Sequence, residues 1–197
     1  KQTVYSLLNH ITDLENIHYW LCVDDNSSIE DRKEMKSLFP WIDYYMKSPN
    51  EKGHRKSMNI IYDKLVKLNP KYWLHLEDDF LFFNNLSVKD TINNLELLKE
   101  DNVKQILFNI NYAEVINDYS IKGELKTDID NIVIHNHKSG KYNYRNCHYW
   151  PYYSFRPSIT LFDAIKSIGN FDTSNQFFEM DYANKFMQKG YKSAFLN

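Results

Sequence analysis

Residues Tyr72 to Phe83 read Tyr-Trp-Leu-His-Leu-Glu-Asp-Asp-Phe-Leu-Phe-Phe, an apolar strand that runs into three consecutive carboxylates and then into more apolar residues. Unpaired carboxylates at the end of a buried strand are costly to desolvate, so the fold must bring a counter-charge to Glu77, Asp78 and Asp79. Hard carboxylate oxygens suit a divalent cation such as Mn²⁺ or Mg²⁺, and a diphosphate carried by that cation is the leading ligand. The ordinary alternative is a solvated loop, or a helix N-terminus whose dipole welcomes acids. Apolar residues on both sides make simple solvation awkward. On an extended backbone Glu77 and Asp79 share one side and Asp78 faces the other, so the three cannot all be direct ligands.

Composition narrows the function classes. A chain of 197 residues with 43% hydrophobic and 16% aromatic content builds one sizeable core, read here as a single domain over 1–197. A formal net charge of -2 and the lack of a long Lys/Arg run provide no basic field for a nucleic-acid backbone, so no nucleic-acid partner is expected. No apolar stretch approaches the roughly 20 residues that span a bilayer, so no transmembrane segment is expected. Lys1-Gln2-Thr3-Val4 lacks the apolar start of a signal peptide. Cys22 and Cys147 are far apart and form no close metal-type pair. That usage fits a reducing compartment and favours a cytoplasmic location.

Hydrophobic spacing alternates between helix and strand. Val4, Leu7, Leu8 and Ile11 recur at helical spacing, and Tyr19 to Val23 is a short apolar strand. Met58, Ile61, Tyr62, Leu65 and Leu68 make one stripe on a helix from Arg55 to Leu68, which Asn69-Pro70 stops. The strand ending at Glu77 follows. Ser87 with Asp90 resembles a capping box opening a helix through Ile92, Leu95 and Leu98, and Gln105 to Ile110 is another strand. Phe162 to Ile168 is a short helix ending at Gly169, Phe178 to Gln188 another ending near Gly190, and Tyr191 to Leu196 a final strand. Ile132 to Thr160, aromatic and less periodic, reads as hairpin and loop forming a wall over the site. The expected class is α/β, with a mixed, mainly parallel sheet flanked by helices and ligands collecting at the carboxyl ends of adjacent strands.

Two further acidic motifs fit that picture. Asp24-Asp25-Asn26-Ser27-Ser28 follows the first strand. It is also ordinary turn and cap chemistry, but a second acidic strand end would lie on the same sheet edge, where Asp24 or Asp25 can accept from a nucleobase or ribose. Phe178-Glu179-Met180-Asp181 opens a helix, where acids also complement the dipole. Residues two apart on a helix diverge, so one of Glu179 and Asp181 is a general-base candidate and the other a structural acid. Arg55 and Lys56, after Gly53-His54, begin a helix and suit a phosphate, although a solvated helix end is equally ordinary. His135 and His137 share a strand face and with His148 are a metal candidate, with exposed strand histidines as the commoner outcome. His75 reads as a core histidine. Tyr149, Trp150, Tyr152, Tyr153 and Phe155 are either a platform for sugar rings or core.

The order of these pieces resembles the GT-A fold glycosyltransferases, which are Rossmann-like, and in particular inverting family 2. The resemblance runs from Thr3 to Leu196. It rests on Asp24-Asp25-Asn26-Ser27, Asn59 on the following helix, Glu77-Asp78-Asp79, and Glu179-x-Asp181 with Gly190. It implies transfer of a sugar from a nucleotide diphosphate, UDP-sugars being favoured, to a glycan or other hydroxyl acceptor, with inversion. By position it implies nucleotide-sugar contacts from Asp24, Asp25, Arg55, Asn59, Glu77 and Asp78, Mn²⁺ or Mg²⁺ on Asp79, and Glu179 as base with Asp181 second. It further implies a nucleotide-sugar-binding half over 1–115, an acceptor-binding half over 116–197, and the family's first strand missing before Lys1. Met180 interrupts the usual acidic pair. Clustered carboxylates also suit a metal-dependent phosphohydrolase or nucleotidyltransferase, and aromatic residues alone suit a non-catalytic glycan-binding module.

Overall fold

The computed structural model describes residues 1–109, 124–135 and 152–196. Along the chain run α1 (Gln2–His10), β1 (Leu21–Asp24), α2 (Ile29–Leu38), β2 (Asp43–Met46), α3 (His54–Leu68), β3 (Tyr72–His75), α4 (Val88–Leu97) and β4 (Val103–Leu107). They are followed by β5 (Glu124–Lys126), β6 (Ile132–His135), β7 (Ser158–Leu161), α5 (Phe162–Ile168), α6 (Phe178–Gln188) and β8 (Lys192–Leu196). The helices at α1, α3, α4, α5 and α6 stand where the spacing places them. Ser87 caps α4 by accepting from the Asp90 amide, and Asn69, in the left-handed region at φ 46°, ends α3. No described helix is long and apolar enough to cross a membrane.

The molecule is mixed α/β, but the expectation of a mainly parallel sheet is wrong. Strands β3-β7-β4-β8-β6-β5 form one sheet in which only the β4–β8 ladder is parallel. Strands β3 and β4 do run in the same direction, as a strand-helix-strand unit requires, yet β7 lies antiparallel between them. Hydrophobic period registers that a strand exists and is silent about which strand inserts beside it. The same holds for β1. It pairs in parallel with β2 in a separate two-stranded sheet, so it does not adjoin β3. The helix α2 and strand β2 escaped the pattern because α2 buries no residue and β2 alternates between exposed and half-buried positions.

Each face of the six-stranded sheet carries its own apolar layer. Leu7, Ile11, Leu86, Leu95, Ile106, Ile159 and Leu161 pack on one side with α1 and α4. Met58, Leu65, Trp73, Phe162, Phe171, Tyr182 and Phe186 pack on the other with α3, α5 and α6. Tyr153 and Phe155 belong to this second layer and are buried, so the core reading of these two aromatics is the correct one. Tyr149 and Trp150 lie outside the described residues. So do His137 and His148. His135 is buried and sits against the rings of Tyr152 and Phe195, which is a packed histidine and not an exposed strand one. His75 is a core histidine, as expected, with burial pushing its pKa down to about 3.

Under the second layer the sheet carries a buried polar row, and this row aims the segment above it. Gln105, Ser158, Thr160 and Ser193 are all buried. The Gln105 amide donates to the Ser154 carbonyl at 2.7 Å and to Ser158 Oγ at 3.0 Å, and its oxygen accepts from the Ser154 amide at 3.1 Å. Ser193 Oγ donates to the Tyr152 carbonyl. These bonds hold residues 152–155 across the strand ends, with Tyr152 at φ 59° making the bend. Replacing Gln105 by Ala removes the partner of the half-buried Ser154 backbone and of the buried Ser158 hydroxyl, and the expected loss is about 1–3 kcal/mol. Leu97→Ala, at a position 69% exposed, is expected to cost less than about 0.5 kcal/mol. Urea denaturation of both variants tests the contrast.

Candidate active site

At the end of β1 the two aspartates do different work. Asp24 is buried, accepts from the Ser27 amide at 3.2 Å and pairs with Arg32 Nε at 2.6 Å. Asn26 takes the left-handed conformation at φ 71°, and Ser28 caps α2 by accepting from the Asp31 amide. Asp24 is therefore a structural acid within a turn. Asp25 faces outward with its side chain 42% exposed. Its Oδ1 accepts from Lys47 Nζ and from the Gly53 amide at 2.8 Å. Burial opposes the charge of Asp25, but the Lys47 and Gly53 donors outweigh it and hold the carboxyl below its ordinary range.

Gly53 adopts φ 122°, a backbone state that side chains disfavour, and this turn starts α3 beside Asp25. The first residue of α3 is His54. Its Nε2 lies 3.3 Å from Glu77 Oε1 and its Nδ1 lies 3.3 Å from Glu179 Oε1. Phe155 and Phe178 present their rings edge-to-face to the imidazole, with centroids 5.6 and 5.1 Å away. One histidine thus joins an acid after β3 to an acid on the first turn of α6, with Asp25 close enough to act on it electrostatically. The hydrogen bond to Glu179 raises the His54 pKa, burial opposes that, and the charges of Glu77, Glu179 and Asp25 add to the rise. Burial pushes the Glu77 carboxyl up. The neighbouring charges of Asp79, Glu179 and Asp78 add to this, against His54.

The strand β3 stops at His75, so Glu77 is not a strand residue and Asp78 and Asp79 form a turn. Strand alternation therefore does not set their directions. Both are exposed, and Thr3 Oγ1 donates to the Asp78 carbonyl at 2.6 Å, which pins the turn to α1. The ends of β1 and β3 come near each other without sharing a ladder. The Cys22 thiol is pushed up to about 11 by burial, with Asp24 and Asp78 contributing.

The remaining expected residues are used elsewhere. Arg55 donates to the Thr173 carbonyl at 2.7 Å. Asn59 donates to Asp172 Oδ1 at 2.7 Å and accepts from the Phe171 amide at 2.8 Å, so it clamps the 170–173 loop onto α3. Asp181 pairs with Lys185 one turn along α6 at 2.9 Å. Of the two acids on α6, Glu179 is the one that faces the other acids and Asp181 is the structural one.

Among the described residues no group of three or more His, Cys, Asp or Glu side chains is arranged to hold a metal ion. The donor chemistry nevertheless fits a hard cation that keeps waters and binds through one or two carboxylates plus phosphates. Asp78 and Asp79 are exposed oxygen donors beside a partly desolvated Glu77, which His54 contacts. Comparisons of the chain with protein-family models, with curated proteins and with solved structures find no match.

Sequence reasoning missed His54 and Lys47. His54 was visible only as part of a helix start, since nothing in spacing ties it to acids 23 and 125 positions further on. Lys47 follows a Tyr-Tyr-Met run whose β propensity was the available signal.

The raised pKa of His54 sets a pH dependence. Its protonated form is favoured by folding, so its contribution is present below the unfolded value near 6.5 and is lost as pH rises through the folded value. A His54→Gln variant should melt below the parent chain at about pH 6, and the gap should shrink by about pH 9. A gap independent of pH in thermal unfolding scans contradicts the ionic role.

Proposed function

We propose that the chain is a metal-dependent glycosyltransferase that moves a sugar from a nucleotide diphosphate, with UDP-sugars favoured, to an acceptor hydroxyl with inversion. The observation that carries this reading is the gathering of Asp25, Glu77 and Glu179, from three distant parts of the chain, around His54. A phosphohydrolase also uses clustered carboxylates, but acids drawn from the end of β1 and from α6, in different halves of the chain, favour a two-substrate reaction.

In this reading Asp25 accepts from the nucleoside, and Asp78 faces the ribose or donor sugar. Asp79 holds Mn²⁺ or Mg²⁺, which when bound neutralises charge on the leaving diphosphate. Glu179 takes the acceptor proton as its oxygen attacks the anomeric carbon, and the bond from that carbon to the diphosphate breaks. His54 fixes Glu179 through Oε1, and Oε2 carries no protein partner among the described residues. That oxygen is the one available for the proton. Phe155 and Phe178 pack edge-to-face against the imidazole and limit its movement.

The test is UDP release from UDP-sugars in the presence of Mn²⁺ and a panel of sugar acceptors. Glu179→Gln is expected to lower transfer by about 10² to 10⁴ while leaving UDP affinity unchanged. Asp79→Ala is expected to abolish the metal-dependent rate. Full metal-dependent transfer by Asp79→Ala would remove the metal assignment.

A further inference from the structure

Lys47, at the end of β2, has no exposed side-chain surface. An ammonium has three donors, and here three acceptors surround it: Asp25 Oδ1, the Gly53 carbonyl at 2.9 Å and Ser57 Oγ at 2.9 Å. Its backbone is held as firmly. The Lys47 amide donates to the Asp24 carbonyl at 3.1 Å, and its carbonyl accepts from Arg32 Nη2 at 2.6 Å. Arg32 in turn binds Asp24, so β1, β2, α2 and the start of α3 meet at one lysine.

Stability alone is a poor reason for this arrangement. Burying an ammonium carries a large desolvation penalty, and its charged partner is a carboxylate still 42% exposed, where solvent screens the attraction. An apolar side chain would fill the same space without that cost. What the arrangement does achieve is orientation. Lys47 and the Gly53 amide both bind Asp25 Oδ1, so the carboxylate cannot rotate, and Oδ2 is left without a protein partner among the described residues.

We propose that Lys47 is a positioning residue that locks the Asp25 carboxylate so that its free oxygen faces a hydrogen-bond donor on the nucleotide. The inference rests on the glycosyltransferase reading, because it takes Asp25 as a nucleotide contact. It adds a device that reduces the rotamer freedom lost when the ligand binds.

A double-mutant cycle separates this role from a structural one. UDP with Mn²⁺ is titrated calorimetrically into the full chain and into Lys47→Met, Asp25→Asn and the double variant. Lys47→Met should weaken UDP binding by about 10- to 100-fold, and the double variant should bind no more weakly than Asp25→Asn alone. Thermal unfolding shows whether each variant is folded. If Lys47→Met does not fold, Ser57→Ala serves in its place, since it removes one acceptor and leaves the charge, and a several-fold loss that vanishes in the Asp25→Asn background is expected. Parental affinity in a folded variant, or losses that add in the double variant, overturn the inference alone. Absence of UDP binding by the unsubstituted chain overturns the glycosyltransferase reading and the positioning role with it.

Discussion

His54 stands between two carboxylates, Glu77 and Glu179, that are far apart along the chain, and the arrangement of this face of the molecule follows from how their charge is handled. Glu77 is partly desolvated and carries three acidic neighbours in Asp78, Asp79 and Glu179. Without an opposing charge the partly desolvated Glu77 would be repelled by these neighbours, Glu179 on the first turn of α6 among them. The imidazole relieves that repulsion at two points at once. It also brings the start of α3, and therefore the Gly53 turn and Asp25, into the same cluster.

That contact depends on the layers beneath it. The polar row of Gln105, Ser158 and Ser193 holds residues 152–155 over the sheet, and this places Phe155 against His54 on one side and Phe171 and Tyr182 on the other. A polar row in a core costs desolvation unless each member is bonded. Among the described residues Thr160 Oγ1 has no partner, and the bonds of the other members go mainly to backbone groups of the covering segment, which is how a strip without regular structure is held as a wall. Asn59 performs the matching task on the α3 side, where it ties the 170–173 loop that leads into α6.

Much of the local structure was legible in the chain. The stripe of Met58, Ile61, Tyr62 and Leu65 marked α3, Ser87 with Asp90 marked the start of α4, and Gly169 marked the end of α5, because each is a local matter of period or capping. The three acidic motifs holding Asp25, Glu77 and Glu179 were also legible, since carboxylates beside apolar runs demand an explanation, but Glu77 as the member of its triplet that meets Glu179 through His54 was not. Nor was it legible which member of each acidic pair lies toward the His54 cluster. Asp24 is set apart from Asp25 by its burial in the turn with Ser27 and Arg32, and Asp181 from Glu179 by its ion pair with Lys185; only the i,i+4 pair on α6 follows from helical spacing.

The amino-acid order by itself determined α1, α3, α4, α5 and α6, the strands β1, β3, β4 and β8, and the presence of concentrated negative charge at three places, because propensity, period and desolvation act over a few residues. Only the tertiary structure decided that β7 inserts antiparallel between β3 and β4, that β1 pairs with β2 alone, and that a histidine and a buried lysine sit among the acids. Those outcomes depend on contacts between residues tens of positions apart, and pairing energy across such distances leaves no periodic trace in the chain.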